Sequence, residues 1–160
     1  MDLRVGLGHD IHRLAAGRTL VLGGVVIEHE SGLCGHSDAD VLLHALTDAL
    51  LGAAGLGDIG ERFPNTDPRW ANADSAIFVG GALAAIGEQQ WKIANVDCTI
   101  FAEEPKLSPH KMAMCERIAG LLKIDAAAVN IKAKTGEEVG PIGRGEAIAA
   151  DAIVLLVRDG

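Results

Sequence analysis

The stretch DLRVGLGHDIHR, residues 2–13, alternates roughly between apolar and polar side chains. This period of two predicts a β-strand, which we expect to end near His12. Residues i and i+2 of a strand project from the same face, so Asp10 and His12 can be directed at one point. His9 lies between them and points to the opposite face, and we assign it a structural role.

Strand and helix patterns follow one another along the rest of the chain. Leu20–Ile27 is rich in β-branched residues and is interrupted by Gly23-Gly24, which indicates a β-hairpin. The patterns predict helices at residues 40–54, 73–90 and 108–122, strands at 92–102, 129–133 and 147–157, and loops at 31–39, 55–72 and 134–145. This order predicts an α+β fold, a single domain spanning residues 1–160 with a mixed β-sheet and helices packed on one of its faces.

The composition limits the class of protein and of partner. Hydrophobic residues make up 49% and charged residues 22% of the 160 residues, which favours a folded globule over a disordered chain. The net charge of −8 argues against nucleic-acid binding, because that affinity comes mainly from neutralising phosphates. An anionic substrate would therefore need local positive charge from a metal, from Lys or Arg, or from helix N-termini.

The cysteines and the hydrophobic pattern indicate the cellular setting. Cys34, Cys98 and Cys115 have no CxxC spacing and predict free thiols in a reducing compartment. No stretch approaches the ~20 apolar residues of a transmembrane helix, and the strand-like N-terminus leaves no room for a signal peptide. We therefore expect a cytoplasmic protein that binds neither a membrane nor nucleic acid.

The combination of Asp10, His12 and His44 is typical of a metal site. His44 falls on the first predicted helix, in line with Asp40 and Asp48 at steps of four residues. One carboxylate and two imidazoles form a three-ligand set of the kind that catalytic zinc sites use, and such sites leave a fourth position open for water or substrate. The alternative is that Asp-x-His is a frequent accident and that His44 is an ordinary surface or core histidine.

The segment Gly35–Asp40 carries a weaker signal, for an anion. Small and hydroxyl residues ahead of a helix present backbone N–H groups and the positive end of the helix dipole. The alternative is ordinary helix capping by Ser37 or Asp38.

The segment Lys134–Glu146 is rich in glycine and carries two further signals. Glycine allows close approach of the backbone to a ligand, and Arg144 suits bidentate recognition of phosphate. Glu137 follows Lys134 and Thr135 and suits Mg²⁺ that bridges substrate phosphates, because Mg²⁺ needs few protein ligands. The alternatives are a tight turn with a solvated arginine and a solvated acidic pair.

In this order along one chain, these motifs resemble those of the 2-C-methyl-D-erythritol 2,4-cyclodiphosphate synthase family. The resemblance extends from about residue 4 to residue 157, and its most specific part is the Ser37–Asp40 block followed by His44. The matching segments are Gly8–His12, Leu22–Gly24, Gly35–Val41, His44–Gly52, Leu56–Gly60, Phe63-Pro64, Asn95–Asp97, Pro105–Leu107, Pro109-His110 and Gly143–Glu146.

The resemblance implies an activity and an assembly. The family converts 4-diphosphocytidyl-2-C-methyl-D-erythritol 2-phosphate into 2-C-methyl-D-erythritol 2,4-cyclodiphosphate and releases CMP, a step in the non-mevalonate route to isoprenoids. Its members are homotrimers in which the sheets face inward and the active sites lie between adjacent subunits. The implied reaction is a metal-assisted intramolecular attack of the 2-phosphate on the β-phosphate, in which no side chain needs to act as nucleophile or general base.

The resemblance also implies the roles of individual residues. It assigns zinc, or another divalent metal, to Asp10, His12 and His44, and a second ion, Mg²⁺ or Mn²⁺, to Glu137. His36 and Thr135 would stabilise the transition state. The residues implied in substrate binding are Asp10, Ile11, His12, His36, Ser37, Asp58, Ile59, Gly60, Phe63, Pro64, Asn65, Thr66, Asp67, Ala102, Glu103, Glu104, Pro105, Lys106, Leu107, Ser108, Lys134, Thr135, Gly136, Glu137, Pro141 and Arg144.

Three residues depart from the common family pattern. Asn65 stands where many members have Asp, Gly136 where Thr is usual, and Pro141 where Phe is common. The last position lines a central cavity that can hold an isoprenoid diphosphate in the family, so binding of such a ligand stays open here. Two other functions also stay open: a zinc phosphoesterase that uses water as nucleophile, and a non-catalytic trimer that binds isoprenoid phosphates through Arg144.

Overall fold

Strand β1, Asp2–Ala16, is the element on which the others assemble in the computed structural model, which describes residues 1–160. The other strands are β2 (Leu20–Leu22), β3 (Val25–Ile27), β4 (Ser31–Leu33), β5 (Lys92–Phe101), β6 (Val129–Lys134) and β7 (Ala147–Arg158). The helices are α1 (Val41–Ala54), α2 (Ile59–Arg62), α3 (Ala76–Glu88), α4 (Lys111–Leu122) and α5 (Gly140–Gly143), with 3-10 turns at Pro68–Trp70, Ser108–His110 and Ala126–Ala128. The predicted single-domain α+β fold with a mixed sheet is confirmed.

The main sheet has five strands in the order β4-β1-β7-β5-β6, and β2 and β3 form the predicted hairpin beside it. β5 and β6 are parallel, whereas the other neighbouring strands of the main sheet are antiparallel. The register aligns Asp10 of β1 with Ala150 of β7. The same row continues through Ile100 of β5 to Ala133 of β6, so Asp10 and Ala133 lie at the same level with two strands between them.

The structure differs from the sequence prediction mainly in the loops. β1 continues past Arg13 to Ala16 because its end pairs with β4, which lies inside the predicted loop at 31–39. That strand is three residues long, and the pairing with β1, rather than any pattern of its own, makes it extended. The predicted loops at 55–72 and 134–145 contain short helical turns, of which two are capped by aspartates that accept backbone N–H groups.

Two glycines allow helix α1 to pack directly on β1. A Cβ atom on Gly6 would lie 1.9 Å from the carbonyl oxygen of Ala49, and a Cβ atom on Gly8 would lie 1.7 Å from that of Ala45. Neither distance is sterically possible, so only glycine permits this separation between helix and strand. Because Asp10 and His12 follow on the same face of β1, the close packing also brings α1 near them.

Asp40 connects the start of α1 to the hairpin. Its carboxylate accepts the backbone N–H of Leu43 at 3.0 Å and those of Gly23 and Gly24 at 2.9 and 2.7 Å. Burial raises the pKa of Asp40 to about 6, although these three donors oppose the shift. Asp40 therefore serves the fold as the N-cap of α1.

The sheet face opposite the helices carries apolar side chains that nothing in the chain covers. On β1 these are Leu3, Val5 and Leu7, which are 58%, 69% and 65% exposed, and Ile153 of β7 is 46% exposed. A contiguous exposed apolar surface of this kind marks an interaction site. None of the helices has the length and apolar character needed to cross a membrane.

Replacing Gly8 tests the packing of α1 on β1. We expect Gly8→Ala to lower the free energy of unfolding by about 3 kcal/mol or more, because the added methyl group meets backbone atoms that cannot move independently. Gly52→Ala is the matched control: Gly52 lies in α1 with no atom near the added methyl group, and we expect a gain of about 0.5–1 kcal/mol. Urea unfolding measures both, and equal midpoints for the two variants would contradict the packing argument.

Candidate active site

The structure brings Asp10, His12 and His44 together at one point. Asp10 and His12 project from β1, and His44 projects from the first turns of α1. The Oδ2 atom of Asp10 lies 2.9 Å from Nε2 of His12 and 3.0 Å from Nδ1 of His44. The two ring nitrogens are 3.2 Å apart, so three potential ligand atoms form a nearly equilateral triangle.

This triangle fits a metal ion. Tetrahedral zinc, with bonds of about 2.0–2.2 Å, holds its ligand atoms roughly 3.3 Å apart, close to the separations found here. One carboxylate oxygen and two imidazole nitrogens are also ligand types that zinc prefers. The sequence-based expectation that these three side chains converge is therefore confirmed, and they form a group that could hold a metal ion.

The charge of the cluster favours a cation. Burial alone would raise the pKa of Asp10, but the close contacts with the His12 and His44 imidazoles outweigh it and lower that pKa well below its usual range. The hydrogen bond to Asp10 raises the pKa of His12, although burial opposes the shift. Asp10 is thus a carboxylate over the whole physiological range, which is the form that binds a metal.

His44 has hydrogen-bond partners on its far side that the sequence did not indicate. Its Nε2 atom lies 2.9 Å from the Ser75 hydroxyl and 3.0 Å from the Ser37 hydroxyl. Ser75 falls near the start of the helix predicted at 73–90 and is the N-cap residue of α3, but its hydroxyl makes no capping bond. Neither Ser37 nor Asp38 caps α1, so that alternative is wrong.

A cavity of about 400 Å³ opens over the metal-ligand cluster. His36 and Ser37 lie at its edge, and the His36 ring is held by the carbonyl oxygen of Asp67, 3.2 Å from its Nε2 atom. The predicted substrate residues that line this cavity are Asp10, His12, His36, Ser37, Ile59, Gly60, Phe63, Pro64, Asn65 and Thr66. Sequence reasoning did not assign Asp48, Trp70 and Phe78 to the site, although they also line this cavity. They come from α1, the 3-10 turn Pro68–Trp70 and α3, and only the tertiary packing of these elements brings them together.

A second cavity, of about 660 Å³, lies at the ends of β5 and β6. It contains the whole predicted segment Ala102–Ser108 together with Lys134 and Thr135. Lys106 supplies positive charge there, and Glu103 accepts the backbone N–H of Gly136 at 2.8 Å. The predicted substrate-binding segment Ala102–Ser108 therefore surrounds an open space.

The two cavities share no residue and are separated within one chain. Three strand spacings lie between Asp10 and Ala133 in the same row, which is roughly 14 Å. His36 and Thr135, the two residues implied in transition-state stabilisation, consequently line different cavities. A single chain therefore presents two separate cavities, each lined by some of the predicted substrate residues.

Other predicted substrate residues lie outside both cavities. Ile11 points to the opposite face of the sheet, where it is 46% exposed. Arg144 is paired with Glu146, with 2.7 Å between its Nε and the carboxylate. Glu137 donates its backbone N–H to the Thr135 hydroxyl at 3.2 Å. The remaining residues outside the two cavities are Asp58, Asp67, Gly136 and Pro141.

Known proteins resemble the chain over its full length. A protein of Dechloromonas aromatica is 54% identical over 100% of both chains, and one of Bordetella pertussis is 57% identical over 100% of this chain and 99% of its own. Both carry the name 2-C-methyl-D-erythritol 2,4-cyclodiphosphate synthase. The matched region includes all the strands, helices and loops that build the two cavities.

Solved structures have the same fold. The bifunctional IspDF of Campylobacter jejuni matches with a TM-score of 0.93 and 44% identity, covering 97% of this chain and 42% of its own. The CDP complex of IspF from Plasmodium falciparum matches with a TM-score of 0.88 and 36% identity, covering 99% of this chain and 97% of its own. The YgbB family model matches residues 3–157, and with these relatives it shows that the chain belongs to the YgbB family.

Proposed function

We propose that the protein converts 4-diphosphocytidyl-2-C-methyl-D-erythritol 2-phosphate into 2-C-methyl-D-erythritol 2,4-cyclodiphosphate and releases CMP. The observation that carries this proposal is the Asp10, His12 and His44 triangle beneath an open cavity, in a chain 54–57% identical to synthases of that name. A cytoplasmic location remains a prediction. It is consistent with the proposed role in isoprenoid precursor synthesis.

Asp10, His12 and His44 would hold zinc, and Glu137 would hold a second ion, Mg²⁺ or Mn²⁺. When bound, these ions supply positive charge that neutralises the reacting phosphates and polarises the β-phosphate. This charge matters because the protein itself carries a net charge of −8 and its substrate is anionic. Phosphoryl transfer depends mainly on such positioning and charge neutralisation.

The side chains around each cavity would position the two ends of the substrate. His36 and Ser37 border the metal-ligand cavity and would bind the methylerythritol phosphate. Lys106 and the rest of Ala102–Ser108 border the second cavity and would bind the cytidine end. A relative of known structure, IspF of Plasmodium falciparum, forms a complex with CDP, which supports a cytidine-linked substrate.

The separation of the two cavities supports a trimer with sites between subunits. The metal-ligand cavity of one subunit would face the Lys106 and Thr135 cavity of its neighbour, so that His36 and Thr135 would act on one substrate molecule. The exposed Leu3, Val5 and Leu7 would be buried where the three sheets face inward. In this arrangement a lone subunit has no complete site.

Phosphorus NMR of the products tests the reaction. We expect the cytidyl substrate to yield CMP and a cyclic diphosphate, and a chelator to stop the conversion. Formation of a free monophosphate in place of the cyclic product would show hydrolysis and contradict the proposal. Conversion that is unchanged after complete metal removal would contradict the role of the metals.

Replacing His44 tests the zinc assignment. We expect His44→Ala to lose bound zinc and nearly all turnover while remaining folded, because two ligands do not hold a catalytic zinc ion in its geometry. His110→Ala is the matched control, since His110 lies outside both cavities. Zinc content, measured by metal analysis, and turnover should fall together in the first variant and stay unchanged in the second. A His44→Ala protein that is fully active without zinc would refute the assignment.

Mixing two inactive variants tests the shared site. His44→Ala spoils the metal-ligand half of a site, and Glu137→Gln spoils the other half. After subunit exchange at equal amounts, random assembly should place two intact halves together in about one quarter of the interfaces. We therefore expect activity to recover to about that fraction of wild type. Light scattering that shows a fully active monomer, or verified exchange with no recovery, would overturn the shared site.

A further inference from the structure

The hydroxyl of Ser75 forms hydrogen bonds with other side chains, although Ser75 occupies the N-cap position of α3. Ser75 is fully buried, and its Oγ atom makes no bond to the first turn of α3. It contacts Oδ1 of Asp38 in a short hydrogen bond and lies 2.9 Å from Nε2 of His44. A third and longer contact, 3.4 Å, joins it to the Ser37 hydroxyl. Ser75 thus connects a carboxylate to a metal-ligand histidine.

The other bonds of Asp38 determine where the proton of Ser75 lies. Asp38 accepts the backbone N–H of Ser75 and that of Asp40, each at 3.0 Å. A carboxylate has no proton to donate, so the hydroxyl of Ser75 must donate its single proton to Asp38. The Ser75 oxygen can then only accept a hydrogen bond from His44.

This arrangement fixes the tautomer of His44. We assign the proton to Nε2, which donates to Ser75 and shares its hydrogen bond with Ser37. Nδ1 then carries a lone pair and faces the Asp10 carboxylate at 3.0 Å. A lone pair that faces a carboxylate oxygen at this distance is stabilised by a cation bound to both atoms.

We propose that Ser75, anchored by Asp38, is a positioning residue that holds His44 in the Nε2–H tautomer and so presents Nδ1 to the metal. The inference rests on the proposed zinc site and adds to it the residues that prepare one ligand for binding. Outer hydrogen bonds of this kind fix ring orientation and raise ligand basicity, and their loss typically weakens metal binding by 10–100-fold. Ser75 touches neither substrate nor metal in this role.

Zinc affinity of the metal-free protein, measured by competition with a chromophoric chelator, tests the role of Ser75. We expect Ser75→Ala to bind zinc about 10–100-fold more weakly than wild type. Ser75→Thr, which keeps the hydroxyl, should recover most of the affinity. Asp74→Ala is the control, because Asp74 caps the same end of α3 through the N–H of Ala76 and does not touch His44. It should lower stability and leave zinc affinity unchanged.

Nitrogen-15 NMR of zinc-loaded wild-type protein gives a test that does not depend on any variant folding. We expect a slowly exchanging proton on Nε2 of His44 and metal bound at Nδ1. Metal bound at Nε2, or equal zinc affinity in Ser75→Ala and Asp74→Ala, overturns the inference. If the wild-type enzyme still forms the cyclic product in that case, the proposed function stands. The expected zinc and NMR results in a protein that forms no cyclic product would leave the Ser75 role intact and refute the proposed function.

Discussion

The close contact between helix α1 and strand β1 is the constraint on which the rest of the structure depends. Gly6 and Gly8 remove the side chains that would stand against the carbonyl oxygens of Ala49 and Ala45. The backbones of the helix and the strand can therefore pack in direct contact. Two and four positions after Gly8, two side chains of β1 then lie next to the residue that precedes Ala45 in α1. Those residues are Asp10, His12 and His44, so the same packing that forms the core also assembles the metal-ligand cluster.

The start of α1 is held by a second set of polar contacts. Asp40 fixes the first turn of the helix to the hairpin, and Asp38 fixes Ser75 and hence the far side of His44. Asp38 and Asp40, two positions apart in the chain, thus determine where His44 lies and which of its ring nitrogens faces the metal site. This concentration of negative charge is balanced if a metal supplies the positive charge that an anionic substrate requires.

Much of the fold and of the metal cluster could be predicted from the sequence. The period of two directed Asp10 and His12 to one face, and helical spacing placed His44 on the first helix in line with Asp40 and Asp48, because both patterns are local. Other features depend on contacts between distant segments. β4 is extended only because β1 pairs with it, and Ser75 resembles an ordinary cap until its distance to His44 is known. The separation of Lys106 and Thr135 from the metal cluster could be predicted only with the order of the strands in the sheet, which the sequence does not give.

Anomalous diffraction at the zinc absorption edge, from crystals grown with zinc, tests the central claim most directly. The account predicts one strong peak per chain, about 2.0–2.2 Å from a carboxylate oxygen of Asp10, Nε2 of His12 and Nδ1 of His44. The peak should also face the cavity that contains Lys106 in a neighbouring subunit. A peak that lies elsewhere, or no peak among these three side chains, would contradict it.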